Sequence, residues 1–165
     1  MANYILSIDS GTTGVTLLLI DKNLNVVKKA YSELKQYYPK PGWVEHDPIE
    51  LIEKIKELIS KITEKYNIKN IISIGITNQR ETVVVWNRTT GQPLYNAIVW
   101  QCRRTKDYCN TIEKYKKMVF KKTGLYIDSY FSASKIKWIF DNVEDTKGLS
   151  NKGNICFGTI DTWII

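Results

Sequence analysis

The chain has 165 residues, of which 43% are hydrophobic, 12% aromatic and 25% charged. These values exclude disorder, collagen-like repeats and coiled coil, and the length suffices to bury a core without disulfides or a structural metal. The formal charge of +7 invites a polyanion, but much of the excess falls on Lys114, Lys116, Lys117, Lys121 and Lys122, which read as the solvated face of one helix with no arginine–aromatic platform for base stacking; no nucleic-acid partner is expected.

In chain order, Tyr4 to Asp9 is apolar and β-prone, and no basic segment precedes it as in a signal peptide. Ser10-Gly11-Thr12-Thr13-Gly14 supplies turn chemistry, Val15 to Asp21 a second strand, Lys22-Asn23 a turn, and Val26 to about Lys35 a third strand. The longest strongly apolar stretch, Val15 to Ile20, falls far short of the ~20 residues of a membrane helix, so no membrane insertion is expected. Pro39-Lys40-Pro41-Gly42 breaks the pattern. A helix then starts at Asp47, with Pro48 in its first turn and Glu50 behind it, and runs to about Tyr66. Ile49, Ile52, Ile55, Leu58, Ile59 and Ile62 set its buried face.

Ile71 to Thr77 is too short and too β-branched for a helix and reads as a fourth strand. Val83 to Trp86 and Asn96 to Trp100 read as two more, flanking a turn at Asn87 to Pro93. One helix is expected over roughly 104–122, ended by Gly124, and another over about 132–142, before a strand opens at Ile155 to Phe157. A meander, a crossover helix and a further strand make an α/β domain with a mixed sheet. The chain stops at Thr162-Trp163-Ile164-Ile165 without a closing polar tail, so it is expected to be truncated inside a larger protein. Cys102, Cys109 and Cys156 are odd in number and form no C-x-x-C pair, which favours reduced thiols, a cytoplasmic location and no zinc site.

Two groups of residues carry chemistry. Asp9-Ser10-Gly11-Thr12-Thr13 stands where the first strand turns into the second. Such a turn can cradle phosphate oxygens on backbone N–H groups and hydroxyls, and a carboxylate at the strand end can hold Mg²⁺ through water. An ordinary hairpin turn uses the same residues. No G-x-x-x-x-G-K-[ST] is present, which excludes a P-loop. The second group follows the fourth strand, where Arg80 and Glu81 can offer a donor fork and two acceptor oxygens to a polyol, or form a solvated surface pair. Trp100 can wall a carbon chain or fill a core; Tyr130, just before a helix, can present a hydroxyl or merely pack. His46, the only histidine, lies before a helix and suits capping or packing better than a base.

The first group, on the first strand of a meander, resembles phosphate segment one of the actin, sugar-kinase and heat-shock-chaperone ATPases, a ribonuclease H-like fold. That resemblance gives Asp9 to Mg²⁺–ATP and the backbone of Gly11, Thr12 and Thr13 to the phosphates. Five segments then resemble the glycerol kinases among the FGGY carbohydrate kinases, in order and at family spacing: Tyr38 to Pro48, G-I-T-N-Q-R-E-T (75–82), Y-N-A-I-V-W-Q-C-R-R-T (95–105), G-L-Y-I-D-S-Y-F-S (124–132) and F-G-T-I-D-T-W (157–163). Pentulose-kinase relatives carry a G-Q-M-H-G-like segment where this chain has N-Q-R-E-T.

The resemblance implies ATP-dependent phosphorylation of glycerol to sn-glycerol 3-phosphate, with ATP, ADP, Mg²⁺ and glycerol as ligands and a homo-oligomeric full-length enzyme. It makes Arg80, Glu81, Trp100 and Tyr130 glycerol contacts and residues 1–165 a partial N-terminal domain. The active site of the family lies between two lobes, and its general base and adenosine site fall beyond residue 165. Family members commonly read D-Q-G-T-T-S-S-R at the phosphate turn, where this chain has D-S-G-T-T-G-V-T (9–16). Ser10 thus replaces a glutamine, and Thr16 an arginine that helps hold the terminal phosphate. Another FGGY polyol or sugar kinase, a chaperone-type ATPase and a non-catalytic binding fragment remain as rivals.

Overall fold

The computed structural model describes residues 3–144 and 146–165. In chain order the elements are β1 (Tyr4–Ser10), β2 (Gly14–Asp21), β3 (Val26–Glu33), β4 (Glu45–His46), α1 (Pro48–Thr63), a 3₁₀ turn (Ile68–Asn70), β5 (Ile71–Asn78), β6 (Val83–Asn87) and β7 (Ala97–Ile98). There follow α2 (Lys106–Thr111), a 3₁₀ turn (Glu113–Tyr115), α3 (Lys116–Thr123), α4 (Ser132–Asn142), α5 (Thr146–Asn151), β8 (Ile155–Thr159) and α6 (Ile160–Ile164). They divide into two compact units.

One unit runs to Lys35, resumes from Asp47 to Gln79 and ends with Ile160–Ile165. Its sheet has the order β3-β2-β1-β5: an antiparallel meander, then β5 parallel to β1. The parallel pairing is possible because α1 carries the chain across between the two strands. Asp47 caps α1 by accepting from the N–H groups of Ile49 and Glu50, and Pro48 stands in the first turn, as the sequence predicts. The buried stripe differs from the expected one. It consists of Pro48, Leu51, Ile55, Leu58 and Ile62, whereas Ile49 is exposed and Ile52 and Ile59 only half-buried. The apolar residues run about halfway round the helix, so periodicity alone leaves its rotation open, and packing against β2 and β3 fixes it. Beneath lie Leu6, Ile8, Val15, Leu17 and Leu19, all buried. The helix α6, absent from the sequence reading, packs on β5, and Trp163 Nε1 donates to Pro48 O at 2.9 Å.

The other unit comprises Gln36–His46 and Arg80–Thr159. Its antiparallel sheet has the order β4-β7-β6-β8. Val44, Val83, Val85, Ile98, Val99, Cys102 and Ile139 form its core, with Trp43, Tyr95 and Trp138 packed against them. The strand expected over 96–100 shrinks to β7, because Trp100 N turns to Thr82 Oγ1 and Cys102 N closes a turn onto Val99 O. The single helix expected over 104–122 is broken at Ile112, whose φ of −102° and ψ of 6° leave the helical region. The lysines therefore divide between a 3₁₀ turn and α3, which buries no residue that could hold a longer helix in register. Gly124 ends α3 with a φ of 72°, as expected of a left-handed cap.

A buried network pins β4 and β7 to the loop after β7. Glu45 Oε1 accepts from Arg104 Nη2 at 2.6 Å and from Tyr95 Oη at 2.9 Å, and Glu45 Oε2 accepts from Asn96 Nδ2 at 3.0 Å. The Arg104 guanidinium lies 3.9 Å from the Trp43 ring centre and 4.6 Å from that of Trp138. His46 is buried within β4 rather than capping α1, and burial pulls its pKa down to about 4. Of the two uses expected from the sequence, capping and packing, the structure shows packing, since Asp47 is the cap.

Candidate functional site

The structure places the first group of candidates, Asp9, Gly11, Thr12 and Thr13, in the first unit, on the end of β1 and its turn into β2. Along β1, Leu6, Ile8 and Ser10 point into the core, so the period-two alternation leaves the Asp9 carboxylate exposed. The turn is drawn tight by its own carbonyls. Gly11 N donates to Gly14 O, Leu34 N to Thr13 O and Gln79 N to Ser10 O, while Gln79 Nε2 reaches Gly11 O at 3.2 Å. Gly14 has no room for a side chain: a Cβ there would stand 2.5 Å from Tyr31 Oη and 2.6 Å from Ser32 O.

With four carbonyls of this segment turned to protein donors, the turn meets an incoming anion with few exposed lone pairs. That suits phosphate. Asp9 makes no ion pair among the described residues, and no cluster of three or more His, Cys, Asp or Glu able to hold a metal occurs among them. A lone exposed carboxylate fits a magnesium ion that keeps its hydration shell, and does not fit a metal caged by protein.

The second group lies in the other unit. Glu81 sits between β5 and β6 with a φ of 66°, a left-handed conformation uncommon for a residue with a side chain. Its carboxylate is fixed by the first turn of α4: Oε2 accepts from Ser132 N at 2.9 Å and from Ser132 Oγ at 2.7 Å. Phe131, at the N-cap of α4, makes no side-chain cap hydrogen bond, and Glu81 supplies the carboxylate that the helix end favours. Next to Glu81, Thr82 Oγ1 accepts from Trp100 N at 3.1 Å. The Trp100 and Tyr130 rings meet edge to face at 5.8 Å, and Tyr130 leads through Phe131 back to Ser132.

Glu81, Trp100 and Tyr130 thus form a closed circuit of contacts. Arg80 precedes Glu81 and is exposed, and its guanidinium makes no hydrogen bond, ion pair or ring contact with the other three. Two cavities of this unit, about 260 and 320 Å³, are lined by other residues, among them Tyr108, Val119, Leu125 and Asn110.

Sequence reasoning missed two residues here. Ser132 gives a faint signal as a serine opening a helix. Lys135 gives none, yet its ammonium is wholly buried behind Tyr130 and donates to Ser129 O, Tyr130 O and Phe131 O.

Residues 4–165 match the N-terminal domain of the FGGY family of carbohydrate kinases. Over 166 residues the chain is 51% identical to glycerol kinase 2 of Thermotoga maritima, covering 98% of this chain and 34% of that protein. It is 52% identical over 167 residues to a glycerol kinase of Leptospira biflexa, covering 99% and 34%. A crystal structure of Plasmodium falciparum glycerol kinase with ADP superposes with a TM-score of 0.91 at 40% identity, covering 99% of this chain and 33% of that one. The chain thus spans about a third of the length of the relatives it matches. A gluconate kinase from Lactobacillus acidophilus, at 23% identity and a TM-score of 0.85, shares the fold.

Proposed function

The chain belongs to the FGGY family of carbohydrate kinases, and from that premise we propose that it forms part of the N-terminal domain of a kinase that transfers the γ-phosphoryl group of ATP to glycerol. The observation that carries the choice of acceptor is the circuit of Glu81, Trp100 and Tyr130. It combines a carboxylate with one oxygen tied to Ser132 and the other available to hydroxyls, an indole edge against a carbon chain, and a phenol. The neighbouring Arg80 adds five N–H donors. A triol needs acceptors, donors and an apolar wall together, and a site built to bond its hydroxyls discriminates strongly against a deoxy analogue.

The reaction joins the terminal hydroxyl oxygen of glycerol to the γ-phosphorus and breaks the bond to ADP, giving sn-glycerol 3-phosphate. Positioning and charge neutralisation do most of the work in such transfers. In this chain Glu81 and Arg80 orient the triol, and Trp100 and Tyr130 exclude water from one side of it. The turn would hold phosphate oxygens through Thr12 and Thr13, with Gly11, whose N–H is given to Gly14 O, keeping the backbone close to them, and Asp9 would hold a hydrated Mg²⁺ that would offset phosphate charge. The proton of the attacking hydroxyl goes to a base that the family resemblance puts beyond residue 165. The same reading makes the whole enzyme a cytoplasmic homo-oligomer. The unbridged Cys102, Cys109 and Cys156 agree with a reducing compartment, and no helix among the described residues is long and apolar enough to cross a membrane.

The test is Arg80→Ala in the full-length kinase. One charged hydrogen bond is worth roughly 1.5–3 kcal/mol, so KM for glycerol is expected to rise about ten- to a hundredfold while KM for ATP stays nearly constant. Equal effects on the two substrates count against a glycerol contact. A pentulose or hexonate turned over faster than glycerol by the unaltered enzyme replaces the acceptor.

A further inference from the structure

Lys135 is a buried titratable group that the mechanism above does not use. Its side chain is fully buried, with 0% of the residue exposed, yet it forms no ion pair among the described residues. Its Nζ instead donates to three consecutive carbonyls: Ser129 O at 2.6 Å, Tyr130 O at 2.5 Å and Phe131 O at 3.1 Å. An ammonium has three N–H bonds, and each meets one acceptor.

This is a costly arrangement. A charge is taken out of water without a countercharge in contact, and it sits in the first turn of α4, where the helix dipole disfavours a cation. Burial pulls the pKa down to about 8, opposed by the fields of Cys102, Glu81, Cys109 and Asp128. The group is therefore still protonated near neutrality and keeps all three donors.

The cost has a local return. Three successive carbonyls converging on one atom fix the curvature of 129–131, and that curvature sets where Tyr130 points and where Ser132 begins α4. From there the Tyr130 ring reaches Trp100 at 5.8 Å, and Ser132 holds Glu81 through two hydrogen bonds. Asp128 helps from the other side, its Oδ1 accepting from Tyr130 N at 2.6 Å. A methionine of similar length would fill the same space without gathering any carbonyl.

We infer that Lys135 is a positioning residue for the acceptor site, gathering the carbonyls of 129–131 so that Tyr130 and Glu81 are aimed at the substrate alcohol. The inference rests on the glycerol reading of that site. It is tested by a double-mutant cycle between Lys135→Met and Tyr130→Phe in the full-length kinase, with KM measured for glycerol and for ATP. Lys135→Met is expected to raise KM for glycerol at least tenfold and to leave KM for ATP within twofold. In the Tyr130→Phe background the same substitution is expected to raise KM for glycerol less than threefold. A merely structural lysine moves both KM values together, or gives the same factor in both backgrounds, and either result overturns the inference. Should Lys135→Met melt below the assay temperature, Lys135→Gln, which keeps two N–H donors, carries the same cycle with a smaller expected rise. Failure of the glycerol reading is seen separately: the unaltered enzyme then prefers another acceptor, or Arg80→Ala leaves KM for glycerol unchanged, and the inference falls with it.

Discussion

Replacing Glu45 by glutamine tests how the unit that carries the acceptor residues is held together. The side chains of Arg104 and Glu45 are 0% and 3% exposed, so neither charge can turn to water when its partner is lost. Breaking such a pair costs about 3–5 kcal/mol, because the remaining charge stays buried. Here the faces of Trp43 and Trp138 still stabilise the guanidinium, by up to about 2 kcal/mol. Against that, the new amide nitrogen faces Asn96 Nδ2, donor against donor, and an orphaned half-buried donor costs about 1–3 kcal/mol. The two corrections nearly cancel, leaving a loss of roughly 3–4 kcal/mol within the range for buried pairs. In urea, with a slope of about 2 kcal/mol per molar, the midpoint falls by roughly 1.5–2 M. The assay is urea unfolding followed by tryptophan fluorescence, with Arg104→Met and the double variant alongside. A coupling energy of at least about 1.5 kcal/mol is expected between the two sites. Additive losses, or a loss below about 1 kcal/mol for Glu45→Gln, refute the reasoning.

Two further outcomes are expected. His46 has a folded-state pKa of about 4, below its ordinary value, so as pH falls from about 6.5 the unfolded chain takes up a proton that the folded chain refuses. Stability is then lost at about 1.4 kcal/mol per pH unit, to a total of roughly 3 kcal/mol by pH 4. His46→Gln should remove this component from unfolding free energies measured at successive pH values, and parallel curves for the two proteins reject it. Asp9→Asn in the full-length kinase should lower kcat/KM about tenfold or more, with a deficit that a Mg²⁺ titration does not fully restore; unchanged kinetics remove Asp9 from the site.

The parts of the fold legible in the sequence were those specified locally. Asp47 and Pro48 followed by apolar residues at helical spacing mark a helix start, the meander follows from its turns, and Gly124 can be read as a left-handed cap from residue type alone. The Asp9 turn and the Arg80–Glu81 pair were legible as residue types in a pattern, and the structure links Glu81, Trp100 and Tyr130 to one another through Ser132 and Thr82. What stayed hidden depends on partners distant in sequence. The two residues of β4 owe their state to β7, some fifty positions onward. The rotation of α1 onto Leu51 rather than Ile52 is chosen by the sheet. The break at Ile112 follows the weak helix formers Asn110 and Thr111, but the basic stretch on either side hides it, and α3 buries no residue that would hold a longer helix in register. Lys135 is the extreme case, because lysine in a helix reads as solvated, and only the converging carbonyls of 129–131 reveal its place.

The division into two units has a consequence for biosynthesis. Neither unit is a continuous stretch: one waits for Ile160–Ile165, and the other for β8, whose Thr159 pairs with Val83. A nascent chain released at residue 150 would therefore leave β6 without a neighbour on one side and β5 without α6 at the same time. Both units need residues 155–165, so until that stretch has left the ribosome assembly is limited to the meander with α1 and β5. Until then the exposed edge of β6 is open to pairing with another nascent chain, and holdase chaperones would find their main target there rather than at the phosphate turn.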